Sequence, residues 1–367
     1  MKCAFVASFF GPYYSNFVAS LLAFHGEMIS RGHQVFYVFP DACKNFQWIH
    51  KLQNTQAKIY FLPFSQFSLS IILKMRKIFK QEKVDIIYSR MNDWDLTARL
   101  AVPFTPVVWH IDMMVNLATR KKYIKNWLKY KLLAFFDTFP IGVSIPIAQT
   151  VNSLAPHHRC LALPNAIDLS RLKLRNGPGN RENGAYRLLI FAYNPINKGL
   201  DITLDALERI NADMPRCQLL VSSQEKTYEY IEQRYKETPS WIRLVPPTDN
   251  IAELYDQCDA MLIPSLSEGF SYCLAEAIYT GLPVVYSDIP GNLWAGEFVQ
   301  TYRCAKGNGD DLERAIRELI SAPPITAEEQ RHNREVMDAK YSLDLWKQKI
   351  ADILEGILSR RQMDEEK

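Results

Sequence analysis

Short apolar runs alternate with amphipathic helical patterns along nearly the whole chain, and this alternation limits its possible folds more than any other feature. Strand-like runs fall at residues 2–7, 35–39, 84–89, 107–110 and 138–143, then at 187–192, 218–222, 242–245, 260–263 and 283–286. Helical patterns separate most of these runs. Strands that alternate with helices predict βαβ units and parallel sheets, and therefore an α/β fold.

The length of the chain predicts two domains, because 367 residues exceed the usual size of a single hydrophobic core. Residues 175–184 are rich in glycine and asparagine, which is typical of a linker. We therefore predict one domain over residues 1–165, a linker over residues 166–185 and a second domain over residues 186–340. Residues 341–360 follow with one apolar stripe at helical spacing.

Composition excludes several classes of protein. A formal net charge of +3 gives no reason to expect a nucleic-acid partner. The seven cysteines contain no C-x-x-C pair and no metal-ligand spacing, so we expect a cytoplasmic chain without a metal site. The apolar N-terminus runs directly into a helical pattern and is interpreted as a first strand rather than a signal peptide. No apolar run reaches the 18 residues that a membrane-spanning helix needs.

Two glutamates mark the connection between the strand-like runs at 260–263 and 283–286. Glu268 lies in a turn, and Glu276 lies a turn or two inside the helical pattern that follows. Open α/β sheets bind ligands where a chain leaves the carboxyl end of a strand and enters a helix. The backbone N–H groups of Gly269, Phe270 and Ser271 would be unpaired donors at that helix start, which suits a phosphate.

The spacing of the two glutamates argues against a glycosidase. Eight residues span about 12 Å along a helix axis. Retaining glycosidases need carboxyl groups about 5–5.5 Å apart and inverting ones about 6.5–9.5 Å. Binding of a ligand therefore accounts for the pair better than two-carboxylate hydrolysis does.

Residues 264–292, with the sequence PSLSEGFSYCLAEAIYTGLPVVYSDIPGN, resemble the signature of family 4 glycosyltransferases, also called glycosyl transferases group 1. The resemblance implies the GT-B fold, in which two Rossmann-like domains face each other across a cleft and a C-terminal helix crosses back to the first domain. Residues 341–367 would be that crossover segment. The resemblance also implies a retaining, metal-independent enzyme that uses a nucleotide-sugar donor and no cofactor.

The resemblance assigns the donor site to the second domain. Glu276 would accept hydrogen bonds from the ribose, and Glu268 would lie nearer the transferred sugar. Lys198 matches the phosphate-binding lysine of the family, and Gly199 lets the backbone approach the diphosphate. The family usually carries a Gly-Arg pair a few residues upstream of that lysine, whereas this chain has Ala192-Tyr193-Asn194-Pro195.

Three residues of the first domain complete the predicted site. Gly11 follows the first strand, where family members often carry two glycines and this chain has one. His110 ends the strand at 107–110 and matches a family histidine near the reacting sugar, although a lone histidine is more often structural. Asn165 belongs to a turn that resembles the family's Pro-Asn-Gly-Val-Asp turn, which implies a hinge with some donor contact.

Residues 118–136 form a basic helical pattern with interleaved aromatic side chains and no acidic residue. Ile124, Trp127, Leu128, Leu132 and Phe135 share one broad face, into which Lys131 intrudes. One interpretation is an ordinary helix packed on the sheet. The other is docking on an anionic inner leaflet, where a lipid-linked acceptor would be presented.

These observations predict a retaining glycosyltransferase that moves a sugar from a nucleotide sugar to a glycan or lipid-linked acceptor in surface polysaccharide biosynthesis. Two alternatives stay open at this point. The chain could be a non-catalytic, sugar-nucleotide-binding partner subunit, or a sugar-nucleotide epimerase of similar fold.

Overall fold

The computed structural model describes residues 1–65, 68–91, 93–133, 136–155, 159–175, 184–212 and 216–365. The chain divides into two units. Unit 1 comprises Met1–Ala166 and Tyr341–Lys367, and unit 2 comprises Ile167–Lys340. Residues 176–183 of the predicted linker lie outside the described residues.

Unit 1 is a seven-stranded parallel sheet with helices. Its strands are β1 (Lys2–Ala7), β2 (Gln34–Pro40), β3 (Lys58–Leu62), β4 (Ile86–Arg90), β5 (Val107–Ile111), β6 (Thr138–Gly142) and β7 (Leu161–Ala162). Its helices are α1 (Asn16–Ser30), α2 (Gln47–Gln53), α3 (Leu69–Glu82), α4 (Asp95–Ala101), α5 (Arg120–Leu133), α6 (Ile145–Leu154) and, at the end of the chain, α13 (Leu343–Glu365). The strand order is β3-β2-β1-β4-β5-β6-β7. The central strands are apolar and buried on both faces, as is typical of parallel sheets covered by helices.

Unit 2 repeats the plan with six parallel strands. These are β8 (Tyr186–Phe191), β9 (Cys217–Ser222), β10 (Ile242–Val245), β11 (Ala260–Ile263), β12 (Val284–Ser287) and β13 (Thr301–Cys304). The helices are α7 (Leu200–Asn211), α8 (Glu225–Arg234), α9 (Ile251–Asp256), α10 (Tyr272–Thr280), α11 (Gly309–Ser321) and α12 (Ala327–Tyr341). The strand order is β10-β9-β8-β11-β12-β13.

The last helix, α13, packs on α1 of unit 1, in agreement with the predicted crossover helix. Its apolar stripe enters the unit 1 core through Trp346, Ile350 and Leu354. Ion pairs at its rim reinforce the contact: Arg31 Nη1 lies 2.7 Å from Asp352 Oδ1, and Glu355 pairs with both Arg31 and His33. The C-terminal segment is therefore part of the first unit's structure.

Each sheet has one point at which the strand order reverses, between β1 and β4 in unit 1 and between β8 and β11 in unit 2. At such a reversal, the loops after the two neighbouring strands run in opposite directions and leave a crevice between them at the carboxyl edge of the sheet. Open α/β sheets bind their ligands in this crevice. In the part of the chain that the structure describes, no helix is both long and apolar enough to cross a membrane.

Candidate functional site

The turn between β8 and α7 places Lys198 at the carboxyl edge of the unit 2 sheet. Hydrogen bonds within the turn define its path: the Lys198 N–H donates to the Asn194 carbonyl at 2.9 Å, and the Leu200 N–H donates to the Pro195 carbonyl at 2.8 Å. Gly199 has φ +67°, and a Cβ there would lie 2.3 Å from the Pro264 carbonyl oxygen. Only glycine fits this position, because both the backbone conformation and the close approach exclude a side chain.

Lys198 and Glu268 form an ion pair across the β8–β11 reversal. The Lys198 ammonium donates to the Glu268 carboxylate, and both side chains are largely buried. Burial opposes the charge of the ammonium, but the Glu268 carboxylate outweighs this effect and raises the pKa of Lys198. The lysine is therefore cationic, and an anionic ligand would compete with Glu268 for it.

Helix α10 begins beside this pair with an open N-terminus. Its N-cap residue, Ser271, makes no side-chain hydrogen bond to the first-turn amides. A narrow cavity of about 10 Å³ between the two features is lined in part by Lys198, Ser265, Ser271 and Cys273. First-turn N–H groups and a neighbouring ammonium are the two standard contacts of a bound phosphate.

The loop before α10 is fixed by hydrogen bonds and by close packing: the Leu266 N–H donates to the Asn197 carbonyl at 2.7 Å, and the Ser287 hydroxyl donates to the Ser265 carbonyl at 2.5 Å. A Cβ on Gly291 would lie 2.2 Å from the Glu268 carbonyl oxygen and 3.0 Å from that of Gly269. The Phe270 ring is buried and stacks on Trp294, with centroids 5.0 Å apart and planes 10° apart. Phe270 thus packs into unit 2 with its side chain, and the predicted ligand contact would come from its backbone amide.

Glu276 lies in the second turn of α10 and is only 5 % exposed. The hydroxyl of Tyr255, from α9, donates to Glu276 Oε2 at 2.5 Å. The Tyr255 side chain is fully buried, and burial together with the Glu276 carboxylate raises its pKa well above the ordinary value. Tyr255 therefore stays protonated and holds the carboxylate in one orientation.

Sequence reasoning missed Tyr255, since a single tyrosine in a short helix gives no signal of its own. It also missed Tyr193, whose ring centroid lies 4.6 Å from the Lys198 Nζ. Tyr193 belongs to the stretch where the family's Gly-Arg pair is absent, so an aromatic ring contacts the lysine there.

In unit 1, His110 is fully buried and both of its ring nitrogens have protein partners. Nδ1 lies 2.6 Å from the Tyr88 hydroxyl and Nε2 lies 3.4 Å from the Leu163 carbonyl oxygen, while the ring stacks on Trp346. Burial and the nearby Arg90 guanidinium lower the pKa of His110 to about 3. The contacts in this structure are those of a neutral core residue, and the catalytic role of His110 stays a prediction.

Asn165 joins a buried polar network rather than an open surface. Its Oδ1 accepts from Arg90 Nη2 at 2.9 Å, and the fully buried Arg90 also pairs with Asp112.

Gly11 lies in the loop after β1, where its carbonyl accepts from Trp48 Nε1 at 2.9 Å. The structure thus places Lys198, Gly199, Glu268 to Ser271 and Glu276 in unit 2, and Gly11, His110 and Asn165 in unit 1.

The basic pattern at 118–136 forms α5, and much of its surface is exposed. Tyr123, Ile124 and Leu128 are 43–46 % exposed. The Lys131 ammonium lies 4.5 Å above the Trp127 ring, so this lysine covers the aromatic face as the sequence suggested. The helix attaches through its other side, where Tyr130 is buried and the Lys129 Nζ lies 4.9 Å from the Trp109 ring centroid. Phe135 lies outside the described residues.

The whole chain is similar to solved structures that share its two-unit architecture. A sucrose-phosphate synthase from Thermosynechococcus elongatus superimposes with a TM-score of 0.78 and 13% identity, covering 98% of this chain and 100% of that one. HepE from Anabaena, solved in complex with UDP and glucose, gives a TM-score of 0.74 and 16% identity over 97% of this chain and 99% of that one. Identities this low establish the fold alone, and that fold is GT-B.

Sequence comparison points to the second unit. The uncharacterized glycosyltransferase MJ1178 of Methanocaldococcus jannaschii is 29% identical over 143 residues, which cover 37% of this chain. The matched part spans only 38% of the length of that curated relative. Residues 186–322, which contain Lys198, Glu268 and Glu276, match the family model described as Glycosyl transferases group 1.

Proposed function

We propose that the protein is a retaining, metal-independent glycosyltransferase of family 4 that moves a sugar from a nucleotide-sugar donor to a glycan or lipid-linked acceptor. The observation that carries the proposal is the Lys198–Glu268 ion pair at the β8–β11 reversal, beside the open start of α10. The family model that covers the same residues supports it. The similarity to the glycosyltransferase MJ1178 and to a sucrose-phosphate synthase favours transfer over a non-catalytic partner subunit or an epimerase.

In the proposed donor complex, the diphosphate replaces Glu268 as the partner of Lys198. The ammonium and the first-turn amides of α10 then stabilise the charge that develops on the leaving phosphate. Glu276, oriented by Tyr255, accepts hydrogen bonds from the ribose hydroxyls. Glu268, released from the lysine, is left close to the transferred sugar.

The reaction itself exchanges one bond to the anomeric carbon for another. The acceptor oxygen bonds to this carbon on the face from which the nucleoside diphosphate departs, so the configuration is retained. The carbon–oxygen bond to the phosphate breaks, and the leaving phosphate takes the proton of the acceptor hydroxyl. The task of the protein is orientation and electrostatic stabilisation.

Uridine diphosphate sugars are the first donors to test, because the structurally similar HepE was solved with UDP and glucose. A role in surface polysaccharide biosynthesis, at the inner face of the cell membrane, fits a lipid-linked acceptor. The exposed apolar side chains of α5 and its lysines support docking on an anionic lipid surface.

A panel of nucleotide sugars in a thermal-shift assay tests the donor site, since a ligand that binds the folded state raises the unfolding temperature. We expect Glu276→Ala to weaken nucleotide affinity at least several-fold. The matched control is Glu237→Ala, because Glu237 is an exposed residue of the same unit. Unchanged donor affinity in the Glu276 variant would refute the ribose assignment. A nucleotide that binds without any transfer to acceptors would indicate a partner subunit.

Membrane docking has its own test in vesicle co-sedimentation. We expect binding to phosphatidylglycerol vesicles and not to phosphatidylcholine vesicles, and we expect Leu128→Asp to abolish it. Leu293→Asp serves as the control, because Leu293 has a similar exposure of 47% and lies in unit 2. Binding that ignores lipid charge would contradict this part of the proposal.

A further inference from the structure

Two phenylalanine rings are exposed at the carboxyl edge of the unit 1 sheet. Phe10 follows β1 and Phe64 follows β3, and each is 40 % exposed. Their ring centroids are 4.6 Å apart, with an interplanar angle of 87°. The two rings therefore meet edge to face and are both partly exposed at the edge where open α/β sheets take their ligands.

The exposure of Phe10 is imposed by its neighbours in the chain. The Phe9 ring turns inward and packs on Phe17, with centroids 4.3 Å apart, while the Phe9 carbonyl accepts from Cys43 Sγ at 2.7 Å. On the other side, the Gly11 carbonyl accepts from Trp48 Nε1 at 2.9 Å. The backbone on both sides of Phe10 is therefore held in place by contacts of its neighbours.

Phe64 rests on a rigid support. Its ring lies 6.1 Å from that of Trp94, which is fully buried, and Trp94 Nε1 donates to the Ser65 carbonyl at 3.0 Å. The loop after β3 is thereby tied to the loop after β4. An exposed aromatic side chain that is held from beneath loses little further entropy when a ligand covers it.

A polar group lies at the same edge, at the β1–β4 reversal. The Ser8 hydroxyl, two residues before Phe10, lies within hydrogen-bond distance of Asp93 Oδ2 at 3.3 Å and of the Met91 carbonyl at 3.2 Å. Asp93 directly precedes Trp94, on which Phe64 rests. The contacts Ser8–Asp93, Trp94–Phe64 and Phe64–Phe10 thus connect the loops after β1, β3 and β4, which carry the two rings and the Asp93 carboxylate.

This combination selects among ligand classes. The face of an aromatic ring is electronegative and attracts the C–H groups on the apolar face of a pyranose. A carboxylate accepts hydrogen bonds from the hydroxyls that rim such a ring. An alkyl chain offers a carboxylate no hydrogen-bond donor, whereas each hydroxyl of a sugar does.

We propose that Phe10, Phe64 and Asp93 form a subsite for a pyranose ring of the carbohydrate acceptor. The assignment rests on the proposed transferase function, and it names the acceptor as a glycan recognised through its sugar rather than through a lipid. The aromatic pair holds the apolar face of the sugar, and Asp93 fixes the rotation of the ring through its hydroxyls.

Saturation-transfer NMR with methyl glucoside, methyl galactoside, methyl mannoside and N-acetylglucosamine tests the subsite, because it detects weak binding without turnover. We expect at least one glycoside to bind the full-length protein. Phe64→Ala and Phe10→Ala should each weaken that binding about three- to tenfold, as the loss of one ring contact implies. Phe104→Ala is the matched control. Phe104 is 82% exposed but precedes β5, at the opposite edge of the same sheet.

Several outcomes would overturn the proposal. One is that no glycoside binds. Another is equal binding by all variants. A third is binding of hexyl glucoside with no signal from methyl glucoside, which would indicate a lipid-binding surface. Urea unfolding of each variant separates loss of the fold from loss of the subsite.

Nucleotide titration of the same proteins keeps this proposal distinct from the proposed function. Lys198→Ala should lose nucleotide binding and keep glycoside binding. Phe64→Ala should keep nucleotide binding and bind the glycoside more weakly. If the wild type binds no nucleotide, the proposed donor site is refuted. The glycoside measurement still tests the subsite independently.

Discussion

Replacing Gly291 by alanine should displace the loop that carries Glu268, although Gly291 itself is not one of the proposed donor-binding residues. The new Cβ would lie 2.2 Å from the Glu268 carbonyl oxygen and 2.7 Å from its carbonyl carbon. Real Cβ atoms essentially never come within 3.0 Å of such atoms, so the two loops must separate by about 0.8 Å. Both contacts are with backbone, and no flexible side chain can yield instead.

The displacement falls on the loop that carries Glu268 and leads into α10. A shift of about 1 Å in a site that works by orientation can cost about a hundredfold. We therefore expect nucleotide affinity to fall roughly ten- to hundredfold in Gly291→Ala. The strain of overpacking should also lower the free energy of unfolding by about 1–3 kcal/mol.

Isothermal titration with the nucleotide selected by the thermal-shift panel measures the first effect, and urea unfolding measures the second. Gly26→Ala is the matched control, because Gly26 lies inside α1 and a Cβ there meets nothing within 4 Å. This variant should bind normally and gain about 0.5–1 kcal/mol of stability. If Gly291→Ala binds nucleotide as tightly as the wild type, close packing of the two loops does not set the geometry of the site.

Two further predictions concern buried side chains. Tyr255→Phe should weaken ribonucleotide affinity about tenfold and leave the affinity for a 2′,3′-dideoxy analogue nearly unchanged. The reason is that only the ribose contact depends on the orientation of Glu276. An equal loss of affinity for both ligands would mean that Tyr255 acts on the fold alone. Burial lowers the pKa of His110 from 6.5 to about 3. Between pH 6.5 and pH 3, His110 is therefore protonated in the unfolded chain and neutral in the folded chain. The contribution of His110 to stability is thus complete above pH 6.5 and is lost as the pH falls toward 3, by about 1.4 kcal/mol per pH unit. The difference in urea unfolding between wild type and His110→Gln should show that slope between pH 6 and pH 5, and a constant difference would contradict it.

The strand pattern was predictable where strands are buried on both faces. The runs that become β1, β4, β5, β8 and β11 are mainly apolar, and the structure contains each of them. Three strands toward the sheet edges, β3, β7 and β13, were missed, whereas the edge strand β10 was predicted at residues 242–245. β3 begins with an exposed lysine and is mostly half-buried, β7 has two exposed residues, and β13 includes an exposed arginine. A strand that is covered on one side or less does not need a continuous apolar run.

The donor site was predictable to the extent that its residues lie in one ordered motif. Glu268 and Glu276 could be found because they lie in a strand–turn–helix connection, and Lys198 because it precedes a helix. Their partners were not predictable. Tyr255 is 21 residues from Glu276 in the chain, and Arg90 is 75 residues from Asn165, so nothing local marks either contact.

His110 shows the limit of reasoning from position along a strand. The sequence places it at the carboxyl end of β5, where side chains often reach a ligand. The structure covers it with Trp346, from a helix more than two hundred residues later in the chain. Enclosure by a distant segment is a property of tertiary packing, and the low pKa follows from it.

The sequence by itself determined the α/β class through its periodicity. Through the resemblance of residues 264–292 to a family signature it also implied the GT-B fold and the segment of the proposed donor site, because periodicity and motif order are local properties of the chain. Only the tertiary structure decided which side chains meet. It paired Lys198 with Glu268, assigned Tyr255 to Glu276 and brought Phe10 into contact with Phe64. The physical reason is that parallel strands far apart in the chain deliver their loops to the same edge of a sheet.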